Sequence, residues 1–137
     1  MFVTTSRDPS SKARRFGRAL ASFLSLPYVN RGKQKPAEDE TWLVVVEDHG
    51  NPAGLVKRSR EREERLSFQL LGETEARRLK RCVPKVIGEG KIARPLAQFF
   101  ELEWLGEAAP AQGRIIKAAS GKIEFVDEGE AKFRLKI

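Results

Sequence analysis

Two hydrophobic periods follow one another at the start of this chain. Phe2 to Ser6 has the composition of a strand, and Arg7-Asp8-Pro9-Ser10-Ser11 punctuates it as a turn. With Ser10 or Ser11 as N-cap, Phe16, Ala19, Leu20, Phe23 and Leu24 then recur at the spacing of one helical face until Pro27. At 100° per residue Arg14 and Arg18 project from the opposite face and Arg15 from its flank, so packing does not consume these charges.

Further on the period returns to that of strands. Tyr28-Val29-Asn30 reads as a short strand closed by Gly32. Thr41 to Glu47 reads as a longer one whose unbroken Leu-Val-Val-Val run suits a strand covered on both faces. His49-Gly50-Asn51-Pro52 marks a turn, Gly54 to Arg60 an edge strand, and Arg58 to Arg65 a solvated stretch of alternating sign. Leu66 to Leu70 alternates like a half-buried strand, and Thr74 to Cys82 reads as a short charged helix stopped at Val83-Pro84. Pro95 fits the first turn of a helix through Leu96, Phe99, Phe100 and Leu102 towards Trp104, ending near Gly106. After an Ala/Pro loop at Glu107 to Gln112, Arg114 to Ala118 forms a strand. Ile123 to Val126 and Lys132 to Ile137 form a hairpin with one wet face. Strand, helix and strands thus occur twice in order, which a two-halved α/β domain over residues 1–137 accounts for, divided into about 1–65 and 66–137.

Composition bounds what such a domain does. The chain has 137 residues, the usual size of one domain, and one Cys, so no disulfide framework or cysteine-based zinc cluster can form within it. No apolar stretch approaches the ~20 residues that span a bilayer, so no membrane partner is expected. A cytoplasmic setting follows, or a nucleolar one in a eukaryote. Net charge is +7, and its distribution is uneven. Residues 1–35 hold Arg7, Lys12, Arg14, Arg15, Arg18, Arg31, Lys33 and Lys35 against Asp8 alone, whereas residues 36–137 balance 18 bases with 18 acids. A localised excess of this kind marks a polyanion site better than a uniformly solubilising face does.

Three features add to the charge. Arg14 and Arg18 are like charges at i,i+4, an arrangement that costs an isolated helix about 0.2–0.5 kcal/mol and is better tolerated beside an anion. The helix start at Ser10-Ser11 offers free backbone N–H groups, and Ser6, Ser10 and Ser11 offer hydroxyls. Tyr28 is the best placed aromatic for stacking on a base, and a half-buried core tyrosine explains it equally well. The expected nucleic-acid-binding residues, RNA-binding ones by the resemblance described next, are Ser6, Arg7, Ser10, Ser11, Lys12, Arg14, Arg15, Arg18, Arg31 and Lys33. His49 reads as a turn residue and Cys82 as a small buried apolar one. Gly88-Glu89-Gly90-Lys91 lacks the spacing of a nucleotide loop. Catalysis, a resident metal and a cofactor are therefore not expected.

Thr4-Thr5-Ser6-Arg7-Asp8-Pro9-Ser10, Arg14-Arg15-Phe16 and Asn30-Arg31-Gly32-Lys33, with Gly50-Asn51-Pro52 after an apolar strand, resemble the signature of Brix-domain proteins. The resemblance implies a fold of two similar α/β halves, each like the anticodon-binding domain of some aminoacyl-tRNA synthetases. It also implies a non-catalytic role in ribosome biogenesis, namely pre-rRNA processing and small-subunit assembly, with an rRNA precursor or other structured RNA as partner and other ribosome-assembly proteins beside it. A protein-interaction scaffold within an assembly complex is the alternative. The family usually carries a helix between the NRGK segment and the next apolar strand, where only Gln34 to Glu40 is available here. Either the two strands are joined differently or a segment is missing.

Overall fold

The computed structural model describes residues 1–30, 37, 39–74, 77–108 and 113–137. Its elements run β1 (Phe2–Thr5), α1 (Ser11–Leu24), β2 (Trp42–Asp48), β3 (Asn51–Arg58), β4 (Glu63–Ser67), β5 (Gln69–Leu71), β6 (Lys85–Gly88), α2 (Gly90–Phe100), β7 (Arg114–Ala119), β8 (Lys122–Asp127) and β9 (Glu130–Lys136). One sheet has the order β1-β2-β3-β4 and the other β5-β9-β8-β7-β6. In each, the strand before the helix pairs in parallel with the strand after it, and the remaining pairs are antiparallel.

The helices lie between the sheets. Helix α1 packs on β1, β2 and β3, while its Phe16 and Phe23 rings meet Phe133 and Phe125 of the opposite sheet. Helix α2 packs on β6 and β7, and Lys57 of β3 reaches it through the Gln98 carbonyl (3.3 Å) and the Phe99 ring. The buried stripes of both helices and residues of both sheets join in one main apolar core. The Trp42-Leu43-Val44-Val45 run is buried throughout, as a strand covered on both faces must be: Leu43 and Val45 join this core, while Trp42 and Val44 form an outer cluster with Val56.

The two halves repeat in detail. Val3 takes its partners from the segment after α1, its N–H donating to Pro27 and its carbonyl accepting from Val29. Val86 does the same after α2, donating to Glu103 and accepting from Leu105. Each helix ends on a residue in the left-handed region, Ser25 (φ 57°) and Glu101 (φ 56°), and the next N–H closes back on Ala21 or Ala97. Tyr28 and Trp104 occupy matching bridge positions beside Val3 and Val86. Gly88 is required where the second half closes. A Cβ there would stand 2.0 Å from the Ala118 carbonyl oxygen, and φ is +135°.

Several expectations are corrected. Residues 77–82 are not helical; they run as an irregular segment whose Leu79 and Cys82 N–H groups donate to the hydroxyls of Ser22 and Ser25 on α1, both at 2.8 Å. A stretch with one half-buried apolar residue, Leu79, has no stripe to hold a helix against the core, and these tertiary bonds take its place. Cys82 is exposed, not buried: the fold uses its backbone, and the neighbouring Pro84 is buried instead. Helix α2 begins at Gly90, placing Pro95 on its exposed side beyond the first turn, and it ends at Phe100, so Trp104 lies outside the helix. Strand β3 lies between β2 and β4 and is not an edge, and Leu66 to Leu70 is two strands, since the chain passes from one sheet to the other at Phe68. Strand β4 also takes in Glu63 to Arg65 from the stretch expected to be only solvated.

Candidate nucleic-acid interface

The sequence of α1 separates two faces. Ala13, Phe16, Gly17, Leu20 and Phe23 are buried, while Lys12, Arg14, Arg15 and Arg18 are exposed. Arg7, in the turn before the helix, is also exposed. No ion pair to an acid engages Arg7, Lys12, Arg14, Arg15 or Arg18 among the described residues; Lys12 donates to the Asn51 side chain at 3.3 Å. Surface guanidinium groups without partners are available to an external anion.

The serines divide differently. Ser10 is the N-cap: its Oγ accepts from the Ala13 N–H (3.1 Å) and donates to the Gly50 carbonyl (2.8 Å). The Ser10 N–H donates to the carboxylate of Glu47 at 3.1 Å. A protein carboxylate thus already lies against this helix start, where an external phosphate was expected to bind, and the donors of Ser10 serve the fold. Ser11 is exposed and Ser6 half-buried, with its N–H given to the Val45 carbonyl. Arg31 and Lys33 lie outside the described residues, as do 34–36 and 38 of the connection expected to depart from the family. Strand β2 is nonetheless fixed beside β1, with Phe2 opposite Trp42 and Thr5 opposite Val45.

Tyr28 is held against α1 through Gly17, where a Cβ would stand 2.9 Å from the Tyr28 ring. Its hydroxyl is buried and finds no partner among the described residues, so the ring is its outward feature. The Arg18 guanidinium lies over that ring, 5.6 Å from its centre. The second half carries a matching pair, Arg94 over Trp104 at 4.4 Å, and the acids near Trp104 in sequence, Glu101 and Glu103, pair with Lys57 and Lys85 at 3.3 and 2.9 Å. The first of these two pairs lines a cleft together with Arg77, Arg78 and Arg81.

A larger feature was missed in the sequence. Arg14, Arg18 and Ser22 form one stripe along α1 at steps of four residues, and Ser25 follows at its C-cap. The first two present charge, and the last two hold residues 77–82, which bring Arg77, Arg78 and Arg81 alongside. Between them lies an open cleft of about 850 Å³ lined by Arg18, Tyr28, Ser22, Arg77, Arg78 and Arg81 among others, with no carboxylate among the described lining residues. Arg114 holds this arrangement from below. It is 3% exposed, its Nε pairs with Asp127 at 3.2 Å, and its other nitrogens donate to the carbonyls of Phe23, Cys82 and Lys80 at 3.2, 3.0 and 2.7 Å. The only sequence signal for the cleft was the run Arg77-Arg78…Lys80-Arg81, which reads as a solvated helix face until Ser22 and Ser25 are seen to anchor it.

No group of three or more potential metal ligands occurs among the described residues, and no helix among them is long and apolar enough to cross a membrane. No family model matches the chain. Among curated proteins, the probable Brix domain-containing ribosomal biogenesis protein of Methanosarcina mazei is 30% identical over all of this chain and 96% of its own length. The protein of the same description from Archaeoglobus fulgidus is 47% identical over 39% of this chain and 37% of its own length. Among solved structures, Mil, an archaeal Imp4-like protein, superposes with a TM-score of 0.76 over all of this chain and 96% of its own, at 24% identity. A probable ribosomal biogenesis protein from Aeropyrum pernix covers 98% of this chain and 92% of its own, with a TM-score of 0.66 at 19% identity.

Proposed function

This chain belongs to the Brix-domain family of ribosomal biogenesis proteins, and from that premise we propose that it is an RNA-binding, non-catalytic factor in pre-rRNA processing and small-subunit assembly. The observation that carries the reading is the outward face of α1. Arg14, Arg15 and Arg18, with Arg7 and Lys12 beside them, present five cationic side chains that no acid neutralises among the described residues.

The proposed RNA contacts are Arg7, Ser11, Lys12, Arg14, Arg15 and Arg18, with Ser6 at the strand end and Ser10 setting the helix start; Arg31 and Lys33 extend the set. Phosphate contacts of this kind fix position and orientation without reading sequence, so target choice rests on RNA shape and on other members of the assembly. Other ribosome-assembly proteins are the expected protein partners, and residues 36–137, whose 18 bases and 18 acids balance, offer surface for them. Crosslinking RNA to the protein in its native cell and mapping both ends tests this. Small-subunit rRNA precursor, joined to peptides from residues 7–18, is the expected product. Crosslinks to unrelated RNAs in proportion to their abundance would overturn the assignment.

A further inference from the structure

The Arg18–Tyr28 cleft makes a demand that the helix face does not. Its walls come from two parts of the chain more than fifty residues apart, α1 with the turn after it and residues 77–81, pinned together by Ser22, Ser25 and Arg114. The open space of about 850 Å³ is large for a single anion and is lined by an aromatic ring with the Arg18 guanidinium 5.6 Å from its centre. Arg78 and Arg81 are exposed and make no ion pair among the described residues.

A duplex is a poor occupant. A-form RNA is contacted across a wide, shallow groove, and its bases are stacked on one another, so neither they nor a recessed ring reach each other. A single strand fits both parts of the cleft. Its backbone follows a row of cations while an unstacked base lies on an aromatic or guanidinium plane. The buried Tyr28 hydroxyl takes no part in reading base edges, which points to stacking without strong sequence preference.

We propose that this cleft binds a single-stranded segment of RNA, with phosphates held by Arg78 and Arg81 and a base stacked on the Arg18–Tyr28 pair. The proposal rests on the RNA-binding reading above and adds to it a second, conformation-selective contact. It also assigns a function to Arg78 and Arg81, whose exposed side chains make no ion pair among the described residues.

The test measures binding of a short labelled oligouridylate, a fully paired RNA duplex and an rRNA precursor fragment to the full chain by fluorescence anisotropy. Wild-type protein is expected to prefer the oligouridylate to the duplex at equal length. The double variant Arg78→Glu/Arg81→Glu is expected to lose about tenfold or more for the oligouridylate, and Arg78→Ala/Arg81→Ala to lower its log-log salt slope by about 1.4. Precursor binding should fall less, because the α1 face remains. Oligouridylate binding within twofold of wild type in both variants overturns the cleft while leaving the RNA-binding reading intact. Failure of wild-type protein to bind any of the three RNAs overturns both. Photocrosslinking of thiouridine-substituted oligonucleotide to wild-type protein gives a readout independent of any variant's folding. Adducts on Tyr28 and residues 77–81 are expected, and adducts confined to residues 7–15 contradict the proposal.

Discussion

Charge reversal at Arg14, Arg15 and Arg18 together is expected to weaken binding of an rRNA precursor fragment on the order of 100-fold at low salt, with little change in the thermal midpoint. Charge-assisted hydrogen bonds contribute roughly 1.5 kcal/mol or more each, and solvent exposure at least halves that; three contacts then multiply to about this factor, to which reversal adds repulsion. The fold is spared because all three side chains are exposed on α1 and no acid pairs with them among the described residues. A glutamate at position 14 lies near the helix N-terminus, where negative charge is favoured. Anisotropy titration beside calorimetry checks both halves of the expectation. A fall of ten degrees or more in the midpoint would mean that the arginines support the core.

Substitution of Arg114 has the opposite signature. Arg114→Ala is expected to cost about 3–5 kcal/mol, because it leaves the Asp127 carboxylate, 18% exposed, without its counter-charge and removes the donors to three backbone carbonyls. For a chain of this length that is a fall of roughly 10–17 °C in midpoint. Arg114→Lys should recover part of the loss, since one ammonium keeps the charge but cannot span Asp127, Phe23, Lys80 and Cys82 from one planar fork. Amide exchange at Leu79 and Cys82 should accelerate in both variants before global unfolding does, because the segment then keeps its bonds to Ser22 and Ser25 but loses those of Arg114 to Lys80 and Cys82. A loss below about 1 kcal/mol for Arg114→Ala would show that the segment is held by other means.

The contrast between these two arginine sets explains what the sequence could reveal. Helix α1 and strand β2 were legible because their evidence is local: apolar residues at helical spacing up to Pro27, and four consecutive apolar residues in a strand with both faces covered. The outward direction of Arg14, Arg15 and Arg18 followed from the same spacing. Arg114 gave no such sign, since its partners lie 13, 32, 34 and 91 residues away. The same distance hid the cleft. Residues 77–82 look like a charged helix until Ser22 and Ser25, 57 residues earlier, supply the hydrogen bonds that a helix would have used. Helix α2 was misplaced for a related reason. Trp104 continues an apolar spacing, but Glu101 turns into the left-handed region and the chain leaves the helix to pair beside Val86.

The similarity of the two halves matters for function as well as for folding. Both present an arginine over an aromatic at the same place, Arg18 on Tyr28 and Arg94 on Trp104, but the first lines a cleft with Arg77, Arg78 and Arg81, whereas Glu101 and Glu103, close to the second in sequence, are paired with Lys57 and Lys85.

The central claim, that this surface binds RNA through its phosphates, is tested most directly by the salt dependence of binding to an rRNA precursor fragment. If about five phosphates are neutralised, the logarithm of the binding constant should fall against the logarithm of salt concentration with a slope near −3.5 for single-stranded contacts. A flat response, or no binding at low salt, would contradict the account.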